Sequence, residues 1–240
     1  MDRESVRLAD VSAWYRTEGF YKRLVGYCYR SMKPFFRGES CLELGCADGA
    51  MTRLLLRDFK AVTAVDGSQT YVNEVRKRIR SPKLTVERAL FERYRPARTF
   101  DTIVMAHVLE HVADPVALLR RSKSWLSKGG CIIVDVPNAH SIHRRVGVKM
   151  GLLEAPHSLN NLDKRLGHRR VYYADTLLTH AKRAGLKSIA HTGVFFKPIA
   201  QSQIQESWNH KMMDGFFELG KDFPDLAAEI MEVLVPSSVQ

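Results

Sequence analysis

Two neighbouring stretches decide the fold: Cys41-Leu42-Glu43-Leu44-Gly45-Cys46-Ala47-Asp48-Gly49, and Ala61-Val62-Thr63-Ala64-Val65-Asp66. Cys41 to Leu44 is a short apolar run of strand length. Ala50 to Asp58 then reads as a helix with Met51, Leu54 and Leu55 on one face, and Ala61 to Val65 as a second strand. The turn between strand and helix holds Gly45 and Gly49. Glycine permits positive φ and lets a ligand approach the backbone, while the start of a helix offers unpaired N–H groups. The stretch is a candidate ligand-binding turn.

Working outward, the same alternation continues. A helix is predicted over Gln69 to Ile79, strands over Leu84 to Arg88 and Thr102 to Met105, a helix over Pro115 to Leu126 and a strand over Cys131 to Val136. Strands alternating with helices imply right-handed crossovers and a mainly parallel sheet covered on both faces. Ligands of such sheets bind beyond the carboxyl ends of the strands. Before this core, Val6 to Phe36 carries Trp14, Tyr21, Leu24, Val25, Cys28, Tyr29 and Met32 at helical spacing, which predicts one or two amphipathic helices forming a lid or flank. After Asn138 the pattern loosens into a basic, Gly- and His-containing stretch up to Arg170. A helix over Ala174 to Ala184 follows. Ser188 to His191 and Gly193 to Phe196 read as a terminal antiparallel pair, and Gln203 to Leu219 and Asp225 to Val233 as two closing helices.

A dinucleotide site would need Gly-x-Gly-x-x-Gly so that a pyrophosphate can lie on the turn. Here Ala47 and Ala50 occupy the second and third glycine positions, and Asp48 would set a negative charge beside the phosphates. A ligand without phosphate but with an ammonium and a sulfonium tolerates that acidity. Asp66, at the end of the next strand, stands where a carboxylate can accept hydrogen bonds from both ribose hydroxyls. Its competing role is that of N-cap to the helix from Gln69.

These residues, with Phe100-Asp101-Thr102-Ile103-Val104 and His107-Val108-Leu109-Glu110-His111-Val112-Ala113-Asp114-Pro115, resemble the class I S-adenosylmethionine-dependent methyltransferases over about Ser40 to Pro137. The resemblance implies an α/β fold: a doubly wound, mainly parallel, Rossmann-like sheet of about seven strands with a terminal antiparallel strand. It also implies S-adenosyl-L-methionine as cofactor. Under it, residues 39–200 form the cofactor-binding domain, 1–38 an N-terminal helical flank or lid, and 201–240 a C-terminal helical segment. It further implies that Glu43 organises the turn and reaches the amino group of the methionine part, that backbone at Gly45 and Cys46 approaches the same part, and that Ala47, Gly49 and Gly67 shape the cradle. Asp66 is implied to hold the ribose, Leu90 and Phe91 to flank the adenine, and Ala106 and His107 to face the methionine part. Ala47 departs from the family's usual middle glycine.

The remaining candidates lie on the acceptor side. Asn138, Tyr173 and His107 are the candidate catalytic residues; Tyr15, Tyr21, His168, Tyr172 and Ser202 are candidate substrate contacts, with Trp14, His140 and Phe195-Phe196-Lys197-Pro198 as further candidate walls. Aromatic faces among them can stabilise a sulfonium by cation–π contact. His107 and His111 have i, i+4 spacing, but without a third ligand at a recognisable spacing no metal is expected.

With 240 residues and 45% hydrophobic content, the chain is sized for one large α/β domain with helical appendages, and disorder is expected only at its last few residues. The cysteines Cys28, Cys41, Cys46 and Cys131 have no paired metal spacing and are expected as reduced core thiols. No apolar run is of spanning length and the first residues lack a basic-then-apolar leader, so a cytoplasmic protein without membrane contact is expected. The formal charge of +11 is scattered over helices without an aromatic-interleaved stripe, which argues against nucleic acid.

The expected reaction is methyl transfer to oxygen or nitrogen of a small molecule, a sugar or secondary-metabolite intermediate. One alternative is closure of the cofactor's own amino group onto its γ-carbon, giving L-azetidine-2-carboxylate and methylthioadenosine. A second is a non-catalytic cofactor-binding partner. The C-terminal helices suit either a lid or a homodimer.

Overall fold

Strand β1 (Ser40–Leu44) lies inside a seven-stranded sheet, and its side chains explain the position. Leu42 and Leu44 are fully buried in the core on one face, and Cys41 is fully buried in the core on the other. Fully burying a side chain of leucine size contributes about 1.5–3 kcal/mol, so a strand apolar on both faces is driven to an interior place. Both β2 (Ala61–Asp66) and β4 (Phe100–Ala106) pair with β1 in parallel, with β3 (Leu84–Arg88) outside β2 and β5 (Leu126–Pro137) beside β4, again parallel. The computed structural model describes residues 3–237. The expectation of disorder at the last few residues falls largely outside that range.

Helices cover both faces. From the amino end, α1 (Arg3–Trp14) and α2 (Gly19–Met32) precede the sheet. After them come α3 (Ala50–Leu55), α4 (Gln69–Arg78) and α5 (Pro115–Ser124) as the crossover helices. Their starts are written locally. Ser68 Oγ accepts a hydrogen bond from Tyr71 N–H at 3.4 Å, and Asp114 Oδ1 accepts one from Ala117 N–H at 2.9 Å ahead of Pro115 in the first turn. The loose basic stretch contains two short helices, α6 (Ile142–Lys149) and α7 (Asn161–Leu166), before α8 (Ala174–Arg183).

The carboxyl end departs from expectation. The apolar stretches from Ser188 to Phe196 are one strand, β6 (Leu186–Val194), and a turn, not an antiparallel pair. The predicted helix over Gln203 to Leu219 is broken into α9 (Gln201–Ser207) and α10 (His210–Asp222), because Asn209 Oδ1 caps the second at Met212 N–H, 3.0 Å away. The predicted helix over Asp225 to Val233 is instead strand β7 (Glu229–Pro236), inserted between β5 and β6 and antiparallel to both. Ile230, Met231, Val233 and Leu234 are all buried, and a strand buried on both faces is a continuous apolar run that has no period to distinguish it from a helix. The sheet order is β3-β2-β1-β4-β5-β7-β6. The chain reverses direction across the sheet between β1 and β4, so their carboxyl ends form the crevice. Being antiparallel, β7 brings its first residue, Glu229, to that same edge, opposite Pro137.

Candidate active site

The turn after β1 is built by backbone hydrogen bonds that converge on Asp66. Gly45 stands at φ +79°, donates its N–H to the Val65 carbonyl at 2.8 Å, and leaves only 2.9 Å between a would-be Cβ and Val108. A side chain there would meet the wall. Ala47 adopts φ +42°, and its N–H donates to Asp66 Oδ2 at 3.0 Å. Ser68 N–H donates to Asp66 Oδ1 at 2.8 Å. The helix cap is therefore Ser68, and Asp66 ties the two turns together with lone pairs to spare. Burial raises Asp66 to about 6.

Glu43 lies beneath the turn. Thr52 Oγ1 donates to its Oε2 at 2.6 Å, while Oε1 is buried without a partner. Burial lifts the carboxyl to about 8, against the Thr52 hydrogen bond. Asp48 has the same half-satisfied character: Oδ2 accepts the Thr17 N–H at 2.7 Å, and Oδ1 is buried and unpartnered. A cradle of acids with free lone pairs suits a ligand carrying an ammonium and a ribose, and repels a pyrophosphate.

A cavity of about 300 Å³ opens over this turn, a volume within the range of small-molecule sites. Glu43, Gly45, Cys46, Ala47, Asp66, Gly67, Leu90, Phe91, Ala106 and His107 all line it. Gly49 does not; at φ +83° it starts α3 and bonds the Cys46 carbonyl at 2.8 Å. Tyr15, Tyr21, Asn138 and His168 also reach the cavity, walled by α1, α2 and α7. Tyr15 and Tyr21 meet edge-on at 5.5 Å, and burial raises both phenols.

Where the cofactor turn meets the rest of the cavity, His107 is surrounded by carboxylates. It stands at φ +54°, fixed by its N–H to the Asp135 carbonyl at 2.9 Å. Its Nδ1 is 3.3 Å from Glu110 and 3.9 Å from Glu229, and its Nε2 is 3.5 Å from Asp135. Burial disfavours the imidazolium, but Glu229, Glu110 and Asp135 outweigh it and raise His107 to about 10. Glu110 is held down near 2 despite burial, chiefly by the His107 hydrogen bond, whereas burial pushes Glu229 and Asp135 up. One oxygen of Glu229, Oε2, is buried with no hydrogen bond. Glu229 was missed by sequence reasoning because it fell in a segment read as helix.

Three of the eight candidate catalytic and substrate residues, Tyr172, Tyr173 and Ser202, are not brought to the cavity, nor are the candidate walls Trp14, His140, Phe195, Phe196 and Pro198. Tyr172 is buried in the core, its hydroxyl donating to the Leu109 carbonyl at 3.4 Å and lying 3.3 Å from His180. Tyr173 alternates to the other side of that extended segment and bonds His157 at 3.1 Å. Ser202 is exposed, while its neighbour Gln201 lines the cavity, a step of roughly 100° around α9. Asn138 is at the cavity, but its amide is spent on structure. The Nδ2 donates to the carbonyls of Asp225 and Ala227, both at 2.9 Å, and Oδ1 accepts from His140 N–H at 2.8 Å.

Among the described residues, two groups set metal-capable atoms within 4.8 Å of one another: Cys28, His107 and Asp135, and Glu110, His111 and His168. The i, i+4 pair His107 and His111 is split between the two groups, and His168 joins the second. The protonated His107 already supplies the counter-charge to both groups' carboxylates, Asp135 and Glu110. All four cysteines are free and buried.

The fold and its acidic turn are those of a class I S-adenosylmethionine-dependent methyltransferase, and its cofactor is S-adenosyl-L-methionine. The chain belongs to the methyltransferase domain family, whose model matches residues 14–191. Over 206 residues it is 26% identical to a ubiquinone biosynthesis O-methyltransferase of Idiomarina loihiensis, spanning 78% of this chain and 80% of that protein. Over 114 residues it is 30% identical to (S)-coclaurine N-methyltransferase of Thalictrum flavum subsp. glaucum, covering 45% of this chain but only 31% of that enzyme. The N-methyltransferase NodS of Bradyrhizobium japonicum WM9, solved with S-adenosyl-L-homocysteine, shares the fold at a TM-score of 0.62 and 16% identity, covering 99% of this chain and 100% of that one. No helix among the described residues is long and apolar enough to cross a membrane.

Proposed function

We propose that the chain methylates an oxygen or nitrogen of a small molecule, with Glu229 as the proton acceptor. The observation that carries this reading is the continuity of the cavity, which runs from the acidic cofactor turn past His107 and Glu229 into a space walled by α2, α6 and α7. When bound, S-adenosylmethionine supplies a methyl carbon made electrophilic by the sulfonium and departs as S-adenosylhomocysteine once the acceptor's lone pair has taken that methyl. The protein's part is to align the acceptor, exclude water and receive the acceptor's proton; alignment alone can supply up to about 7–11 kcal/mol of barrier reduction. His107, held protonated near neutrality, is poorly suited to take that proton. Glu229, raised by burial and with Oε2 free of hydrogen bonds, is suited to it, and the His107 imidazolium steadies the carboxylate before the proton arrives. The O- and N-methyltransferase relatives support either acceptor atom.

The test is incubation with methyl-labelled cofactor, with and without a panel of hydroxyl and amine acceptors. Label in an acceptor together with S-adenosylhomocysteine is the expected result. Methylthioadenosine formed from cofactor alone would establish cyclisation in its place, and no turnover with intact cofactor binding would leave a non-catalytic partner.

A further inference from the structure

The turn after β6 does something that methyl transfer at Glu229 leaves unexplained. Phe195 is fully buried yet stands at φ +63°, a left-handed conformation that is strained for a non-glycine residue. Packing holds it there. Its ring stacks on Tyr27 at 5.8 Å and meets Phe20 edge-on at 5.5 Å, its carbonyl accepts Ala228 N–H at 2.7 Å, and Phe196 N–H donates to the Phe216 carbonyl at 2.8 Å. Such strain is typically kept where it places a functional group.

Two residues on, Lys197 enters the cavity. Its ammonium lies 5.4 Å from the centre of the Phe20 ring and, among the described residues, makes no hydrogen bond or ion pair. Burial lowers its pKa, which Glu229 partly offsets. His143, on α6, lines the same end; its Nδ1 is buried without a partner, and the Lys197 charge bears on it. Arg144 is not available to a ligand. Its guanidinium is used by the Pro156 carbonyl at 2.6 Å, Asp163 at 3.2 Å and the Ser158 carbonyl. An ammonium without a hydrogen-bond acceptor, beside an imidazole whose Nδ1 is unsatisfied, offers donors that an anion completes.

We infer that Lys197 and His143 form an anion subsite at the acceptor end of the cavity, and that the acceptor carries a carboxylate. This rests on the methyl-transfer reading and deepens it. Phe20, over whose ring Lys197 lies, and its neighbour Tyr21 both line the cavity, so an aromatic body bearing the carboxylate fits beside them. The acids of the cofactor cradle repel that carboxylate and orient it toward Lys197.

Calorimetry on the full chain saturated with S-adenosylhomocysteine, using benzoate and its neutral amide benzamide as probes, tests this. Benzoate is expected to bind at least about tenfold tighter than benzamide, the low end of a charge-assisted hydrogen bond. Lys197→Met erases the preference and Lys197→Arg retains part of it, with S-adenosylhomocysteine affinity unchanged in both. Equal binding of the two probes, or a preference that survives Lys197→Met, overturns the subsite. A parallel loss of S-adenosylhomocysteine affinity overturns it too, by assigning Lys197 to the cofactor's own carboxylate. Failure of the methyl-transfer reading is read separately, from turnover with labelled cofactor, and the probes titrated without S-adenosylhomocysteine still report on Lys197.

Discussion

The two ends of the cavity are built on different principles. The cofactor end comes from β1, β2 and their following turns, residues close in sequence that hold one another through backbone N–H groups on Asp66. The acceptor end gathers α2, α6, α7, the turn at Phe195 and the first residue of β7, and its working groups are side chains with a buried atom that makes no hydrogen bond, Glu229 and His143 among them. The first is a preformed cradle that backbone geometry dictates. The second is a set of charges whose meaning depends on a molecule yet to arrive. One fold can thus carry different acceptor ends on the same kind of turn.

The comparison can be broken by substitutions at either end. The largest effect is expected at Glu229: Glu229→Gln lowers kcat by about 100- to 10,000-fold, as for loss of a general base, while S-adenosylhomocysteine affinity in calorimetry stays unchanged. A loss of cofactor affinity equal to the loss of kcat would move Glu229 to the cofactor end. Next, Asp66→Ala weakens cofactor binding by about 10- to 100-fold through lost charge-assisted hydrogen bonds, and lowers Tm because Ala47 and Ser68 N–H lose their acceptor.

A smaller effect is one of pH. Glu43, raised to about 8, must lose its proton to meet an ammonium, so cofactor affinity climbs by up to about tenfold per pH unit toward pH 8 and levels off above it. Asp66, raised to about 6, adds a slope of the same sign below that pH. The free protein responds oppositely. A carboxyl whose folded pKa is raised contributes stability fully only below its ordinary value, and loses that contribution as pH rises through about 8. Glu43→Gln flattens both profiles above pH 6, measurable by calorimetry and thermal melting.

The smallest change is Ala47→Gly. Relief of the positive φ gains about 1–2 kcal/mol and added freedom in the unfolded chain gives back about 0.4–1 kcal/mol, leaving a net stabilisation between about 0 and 1.6 kcal/mol, centred at about 0.8. A Tm rise of about 2 °C with unchanged turnover is expected. A fall in Tm would show that Ala47 packs better than its strain suggests.

Legibility followed the same division. The strands up to β5 and the acidic turn could be read because each is a local pattern: apolar run, glycine at a tight turn, capping residue, apolar face. Ser68 replaced Asp66 as the cap without disturbing the reading, since both lie in one short turn. Tyr172 and Ser202 looked like substrate contacts, and Tyr173 like a catalytic residue, by composition alone, and the side each presents is set by the packing of an extended segment and a helix. Glu229 was lost with β7, whose two-sided burial removed any periodicity.

By itself the sequence determined the α/β alternation and the acidic turn after β1, because hydrophobic period and glycine geometry act between neighbours in the chain. Only the tertiary structure decided that β7 runs antiparallel between β5 and β6, and so delivers Glu229 to His107. It alone brought Lys197 to His143. Burial and charge pairing are properties of surroundings assembled from distant segments, and no local pattern encodes them.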